Sequence, residues 1–201
     1  MRILYLDCLM GAAGDMLMAA LYELLDDKQA CLDMMRSLGL PGIEISAEPA
    51  VKCGITGTHM KVLVHGSEEL DALHDHLHEH AHEHSHDHEH HHHTDLHEIE
   101  HLLSHLDLPQ TVQDDALAVY RRIAEAESKV HGTTVDQIHF HEVGTLDALA
   151  DVVGVCLLMH LLAPEKVYAS SVHVGSGQVR CAHGILPVPA PATALLLAGV
   201  P

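Results

Sequence analysis

A histidine-rich tract in the middle of the chain limits the folds that this sequence can adopt. Residues 74–93 contain twelve histidines that alternate with Asp, Glu, Ala and Ser. A segment of this composition cannot bury a core, so we expect it to be disordered and to separate two ordered parts. The predicted organisation is an N-terminal α/β part (1–70), a His-rich linker (71–95) and a second α/β part (96–201).

The tract also predicts metal binding. Neutral imidazole is a ligand suited to nickel, zinc, copper and cobalt. Flexible surplus ligands suit capture and storage better than catalysis, which needs fixed geometry. A merely solvated polar linker is the alternative. The predicted ligands of the tract are His74, His76, His78, His80, His82, His84, His86, His88, His90, His91, His92 and His93.

The composition restricts both the fold and the partners. The chain has 201 residues and 47% are hydrophobic, which is enough to bury a core. The aromatic content is 2% and the formal net charge is -19, so neither base stacking nor a basic phosphate-binding surface is available. We therefore expect no nucleic-acid partner.

The location predicted from the sequence is the cytoplasm. No apolar run is long enough to span a membrane, and the apolar start of the chain is interrupted by Asp7 and two glycines, so no signal peptide is indicated. The five cysteines are scattered without a C-x-x-C spacing, so we expect reduced thiols.

The opening segment predicts a strand, a glycine-rich turn and a helix. Residues 2–8 have the pattern of a buried strand, and L-M-G-A-A-G-D-M leads into a helix that runs to about Asp27. Such a turn can present amides to an anion, although a tight turn with an acidic residue in the first helical turn is the alternative. Ligands of open α/β sheets bind at the carboxyl ends of strands. The candidate cofactor-binding residues here are Asp7, Gly11, Gly14 and Asp15.

The segments that follow are predicted to be scaffold. They are a helix near 29–38, a hairpin of strands 43–52 and 58–65, and helices over 95–105 and 110–130. The last helix is predicted to stop at Gly132. Its apolar stripe is predicted to consist of Val112, Ala116, Val119, Tyr120, Ile123 and Ala124.

Residues 139–151, H-F-H-E-V-G-T-L-D-A-L-A-D, are the densest group of chemically active side chains outside the tract. If the first part is extended, His139 and His141 share a face about 7 Å apart, close enough for both to bind one metal. Gly144 ends the strand, and Thr145 is an acceptable N-cap for a mostly buried helix that reaches about Leu162.

Within that helix Asp147 and Asp151 are four residues apart and share a face, so their charges repel and a cation between them would relieve the conflict. The predicted metal ligands are therefore His139, His141, Asp147 and Asp151. The candidate catalytic residues are His141, Glu142 and Asp151. In the alternative interpretation Asp147 serves the helix dipole, Asp151 is solvated and His141 only packs.

The C-terminal segment combines glycines, prolines and isolated polar groups. Residues 166–174 predict a strand after Pro164, and a helix is predicted to start at about Pro191. Between them lie Arg180 and His183, which are candidate cofactor-binding residues.

Four motifs in this order resemble the LarC family of nickel insertion proteins. They are L-Y-L-D-C-x-x-G-x-x-G-D-M, the histidine-rich linker, H-F-H-E-V-G-x-x-D-x-x-x-D-x-x-G and A-H-G-I-L-P-V-P-A-P-A-T. The resemblance implies insertion of Ni²⁺ into pyridinium-3,5-bisthiocarboxylic acid mononucleotide to form the nickel-pincer nucleotide cofactor. It also implies use of CTP with Mn²⁺ or Mg²⁺ through a C-terminal LarC part as partner, and a homo-oligomer is compatible with it.

The chemistry implied by the resemblance suggests roles for the candidate residues. A ring proton must leave as carbon binds nickel, and Glu142 or His141 would accept it. His139 and the aspartates would hold nickel or a nucleotide-bound divalent ion, and Arg180 would meet the substrate phosphate. A non-enzymatic nickel or zinc storage and delivery protein, and a divalent-metal hydrolase, are the competing interpretations.

Overall fold

The computed structural model describes residues 1–67, 94–140, 143–181 and 183–200. The predicted disorder of the histidine tract, and the positions of His141 and Glu142, lie outside these residues. The described residues combine helices with several small sheets, which confirms the α/β prediction.

The N-terminal part forms β1 (Ile3–Leu6), α1 (Gly14–Glu23) and α2 (Lys28–Ser37). The predicted extension of the first helix to Asp27 is wrong, because Asp27 is instead the N-cap of α2. Its carboxylate accepts a hydrogen bond from the backbone N–H of Ala30 at 3.0 Å.

The predicted hairpin consists of β2 (Ile43–Lys52) and β3 (Ile55–Val64), which pair antiparallel along their whole length. The second strand begins at Ile55 rather than at residue 58. The turn needs only Cys53 and Gly54, which both have positive φ angles (52° and 81°), as two-residue hairpin turns require.

The central part contains β4 (Thr94–Asp95), α3 (Leu96–His105), α4 (Gln110–His131), β5 (His139–Phe140) and α5 (Leu146–Leu162). Gly132 caps α4 in the left-handed conformation, as predicted.

The apolar stripe of α4 is confirmed except at Val119. Val112, Ala116, Tyr120 and Ala124 are fully buried, whereas Val119 is 37% exposed. Val119 precedes Tyr120 by one residue and is therefore rotated out of the face that packs on the core.

The C-terminal part forms β6 (Lys166–Ala169), β7 (Gln178–Cys181), β8 (Gly184–Pro187) and α6 (Pro191–Leu196). The strand predicted over 166–174 stops at Ala169, because the chain then bonds to the loop after β1. The backbone N–H of His173 donates to the carbonyl of Cys8 at 3.0 Å. The β7–β8 hairpin was not predicted.

β1 and β6 pair in parallel, with Ile3 opposite Lys166 and Leu6 opposite Ala169. Core residues that precede and follow the histidine tract pack in one cluster, in which α1 lies against α5. Gly154 of α5 leaves room for the Met18 side chain of α1. No helix of the described ranges is long and apolar enough to span a membrane.

Candidate functional site

Two of the predicted motifs meet where the N-terminus of α1 packs on the first turns of α5. An added Cβ on Gly14 would lie 2.5 Å from both Cβ and Oδ2 of Asp151, so the absence of a side chain allows this approach. The backbone N–H of Asp15 donates a hydrogen bond to the Asp151 carboxylate. The anion bound at the N-terminus of α1 is therefore the Asp151 carboxylate of the same chain.

The electrostatic environment of Asp151 favours its protonated form. Burial, followed by the carboxylates of Asp15 and Asp147, raises the pKa of Asp151 from 3.8 to about 6, although the Asp15 N–H lowers it. Asp151 is half-buried, so its carboxylate has less contact with solvent than an exposed aspartate. We call Asp15, Asp147 and Asp151 the carboxylate cluster.

Tyr120 of α4 forms the inner wall of the carboxylate cluster. Its ring is fully buried and packs edge-on against Phe140 at a centroid distance of 5.7 Å. Burial, and then the charges of Asp147 and Asp151, raise the pKa of its hydroxyl. Within the described residues this hydroxyl has no hydrogen-bond partner, so an uncommitted donor lies beside the cluster.

A groove opens beside Asp15, between α1 and the β2–β3 hairpin. Its volume is about 490 Å³, within the range of small-molecule sites. The polar residues that line it include Asp15, Lys52, Thr56, Thr58 and His59. The sequence interpretation assigned this hairpin to scaffold, because polar residues on an exposed strand face give no signal of a groove.

The glycine-rich turn is held mainly by its own bonds. The Asp7 carboxylate accepts from the backbone N–H of Leu9 at 3.1 Å, and the Gly11 N–H donates to the Cys8 carbonyl at 3.0 Å. The Asp15 carboxylate accepts from the N–H of Met16 at 2.8 Å. These bonds favour the tight-turn interpretation of this segment.

His139 lies on β5 opposite Asp95, is exposed, and immediately precedes the buried Phe140. Gly144 packs closely on Phe140 and Thr94, which fixes the chain where it turns into α5. The other two side chains of this motif, His141 and Glu142, lie outside the described residues.

Arg180 and His183 belong to the β7–β8 hairpin, and His183 lies away from the carboxylate cluster. The His183 ring is 5.0 Å from the ring of His131 at the C-terminal end of α4. His131 follows Tyr120 by eleven residues, which is about 16 Å along the helix axis.

Among the described residues, no three His, Cys, Asp or Glu side chains converge as a ready-made metal site. The carboxylate cluster is thus a group of three neighbouring carboxylates beside one uncommitted hydroxyl rather than a closed metal cage. Its members Asp147 and Asp151 were predicted from their helical spacing. Tyr120 was predicted only as core, because a buried tyrosine in an apolar stripe gives no separate sign of a functional role.

Nearly the whole chain matches a known family. The model of the family described as nickel insertion protein matches residues 4–201. The chain belongs to the nickel insertion protein family.

Several relatives of this family are similar over the full chain. The pyridinium-3,5-bisthiocarboxylic acid mononucleotide nickel insertion protein of Clostridium acetobutylicum is 47% identical over 212 residues, covering 100% of this chain and 50% of its own length. Proteins of the same name from Clostridium kluyveri and Desulfitobacterium hafniense are 41% and 40% identical and are covered to 48% and 44%. The chain thus spans about half the length of these relatives. No solved structure matches it.

Proposed function

We propose that this chain supplies the nickel-handling half of a nickel chelatase that acts on pyridinium-3,5-bisthiocarboxylic acid mononucleotide. The observation that carries the proposal is the carboxylate cluster, in which Asp151 is held between Asp15 and Asp147 beside an uncommitted tyrosine hydroxyl. The names of the relatives supply the reaction, and the cluster supplies chemistry that suits it.

The reaction needs nickel that is only loosely held by protein. Two thiocarboxylate sulfurs and one ring carbon of the substrate bind Ni²⁺, and the ring carbon loses one proton to a base. A site with a full set of tight protein ligands would oppose this transfer. Asp15 and Asp147 provide weak oxygen ligands and leave positions open to the substrate sulfurs.

Asp151 is the proton acceptor in this proposal. A carboxylate with a pKa near 6 is ionised at neutral pH yet is more basic than an ordinary aspartate, which suits a general base. His141 and Glu142 precede the same helix in the sequence and remain proposed as further ligands or bases.

The groove between α1 and the hairpin is the proposed binding site of the mononucleotide. Asp15 lines one part of it, so a pyridinium ring bound there lies near the carboxylate cluster, and Lys52 provides a cation for the phosphate. We assign the phosphate to Lys52 rather than to Arg180, because Lys52 lines the same groove as Asp15.

CTP and its Mn²⁺ or Mg²⁺ are proposed to act through the part of the relatives that this chain does not cover. A protein with both parts can be made as a chimera in which this chain replaces the 212 aligned residues of the Clostridium acetobutylicum relative. The test is to incubate the chimera with Ni²⁺, CTP, Mg²⁺ and the substrate and to measure the nickel-pincer product by mass spectrometry.

Asp151→Asn is expected to lower the rate of product formation by about 100-fold or more, because it removes the general base. Asp136→Asn, a matched change at an exposed aspartate, is expected to leave the rate unchanged. Thermal unfolding of both variants controls for stability. An Asp151→Asn chimera that folds normally and forms product at the original rate would show that Asp151 is only structural.

A further inference from the structure

A group of exposed apolar side chains lies on β1, on the loop that follows it and on β6. Tyr5 is 62% exposed, Leu9 60% and Met10 89%, and in β6 Val167 and Tyr168 are 46% and 51% exposed. Val51 and Ile55 beside the hairpin turn are also exposed, at 66% and 76%, whereas Val119 and Val130 of α4 are only 37% and 40% exposed. A contiguous apolar surface of this kind marks a site of interaction.

The pairing of β1 with β6 joins Tyr5 and Tyr168 into one surface, whereas Val167 is paired with Leu4 and lies on the other face. Side chains alternate across a strand, so Ile3 and Tyr5 point to the face opposite the buried Leu4. The register places Tyr5 directly opposite Tyr168, so the two side chains project from the same outer face. The loops that follow both strands continue the surface through the bond between Cys8 and His173. We call this region the β1–β6 surface.

An uncovered parallel sheet of only two strands is unusual in a folded protein. Parallel sheets are normally covered on both faces, and their strands are correspondingly buried. Here all four residues of β6 are exposed, and β1 was predicted to be buried but has only Leu4 buried. Among the described strands, β6 pairs with β1 alone, which leaves its other edge open to a further strand.

We propose that the β1–β6 surface is the docking site for a segment equivalent to the part of the relatives that lies outside the aligned region, and that this segment adds a strand to the free edge of β6. The Clostridium acetobutylicum relative has as much polypeptide outside the aligned region as within it, so that relative contains covering material of sufficient size in the same molecule. A linked segment also acts at a high effective concentration.

A second copy of this chain fits the surface less well. Two-fold symmetry would pair β6 with its own copy in the antiparallel direction. An added strand from a β-α-β connection would instead extend the existing parallel order.

Hydrogen exchange tests the proposal by comparing this chain alone with the chimera described above. Amides of β1 and β6 are expected to exchange at least 10-fold more slowly in the chimera, because an added strand bonds the β6 edge and covers the outer face. Tyr168→Asp in the chimera should return these amides to the rates of the chain alone. Val51→Asp, at a residue 66% exposed near the hairpin turn, should change nothing at β1 or β6.

Exchange of the α5 amides in each variant reports whether the fold is intact. Equal exchange of β1 and β6 in the chain and the chimera would overturn the proposal. Protection that appears in the chain alone as its concentration is raised, and that Tyr168→Asp removes, would also overturn it and assign the surface to a second copy.

Discussion

At the scale of single residues, the unusual group is the Asp151 carboxylate, which the fold holds close to two other negative charges. Asp151 sits between two other carboxylates, and the compensation it receives is one backbone N–H from Asp15. Neighbouring negative charges destabilise the ionised form of a half-buried carboxylate. Asp151 cannot move away from them, because its side chain packs against the backbone at Gly14. Such a group is poised to accept a proton or a cation.

This arrangement predicts a specific dependence of stability on pH. Because the pKa of Asp151 is about 6 in the folded chain and 3.8 otherwise, the folded state holds its proton more tightly. The resulting stabilisation is complete below about pH 4 and is lost as the pH rises through about 6. Urea unfolding should show that Asp151→Asn removes this loss and is more stable than the original chain at pH 7 by about 1 kcal/mol, a value discounted for solvent at a half-buried site.

The same pH dependence in the original chain and in Asp151→Asn would contradict the prediction. Asp147→Asn serves as the control, since it removes one repelling charge and should shift the transition to lower pH without abolishing it.

Part of this residue cluster was predictable and part was not. Asp147 and Asp151 share a face because of their spacing within one helix, which the sequence contains directly. Asp15 joins them only because α1 packs on α5, and Tyr120 only because α4 lies behind both. Both are tertiary contacts, which local sequence patterns do not encode. Asp15 and Asp151, for example, are more than one hundred residues apart in the chain.

At the scale of elements, two helix ends followed from capping residues, whereas the ends of β1 and β6 did not follow from apolar runs. Gly132 and Thr145 mark ends of α4 and α5 as predicted. The lengths of β1 and β6 depend on which neighbours pair with them, which a single strand pattern does not reveal. The β7–β8 hairpin was missed because its prolines suggested an extended segment rather than a paired strand.

The contact of α1 with α5 can be tested by closing the space at Gly14. Gly14→Ala places a methyl group against Asp151, so we expect a loss of about 1 to 3 kcal/mol in the free energy of unfolding. We also expect loss of nickel insertion by the chimera, because Asp151 is displaced. Gly57→Ala is the matched control for stability, since its added methyl group meets open space. Urea unfolding compares the two variants, and product formation is measured for Gly14→Ala; equal unfolding free energies of the two variants would mean that the contact is loose.

At the scale of the whole molecule, charge and histidine content act together on cations. A formal net charge of -19 raises the local concentration of divalent ions around the chain, and we expect the 23 histidines to provide ligands that retain nickel or zinc. We therefore expect storage in the tract and transfer at the carboxylate cluster to be separable roles.

Deleting residues 74–93 is expected to abolish most of the bound nickel while leaving insertion by the chimera intact at saturating nickel. In the undeleted chain the same metal should be released below about pH 6, as the imidazoles become protonated. Equilibrium dialysis with metal analysis measures both effects. An unchanged nickel count after the deletion would refute the storage role.

The burial of Tyr120 gives the chain an optical signal at its candidate site. The chain has no tryptophan and four tyrosines, so its near-ultraviolet emission comes from Tyr5, Tyr22, Tyr120 and Tyr168. Tyr120 is fully buried beside Asp147 and Asp151, whereas Tyr5 and Tyr168 are exposed on the β1–β6 surface. A paramagnetic Ni²⁺ ion that reaches the carboxylates would quench the emission of Tyr120 before that of the others. In a Tyr5→Phe, Tyr168→Phe variant only Tyr22 and Tyr120 emit. A fall in tyrosine emission would then report nickel binding at the carboxylates without an added label.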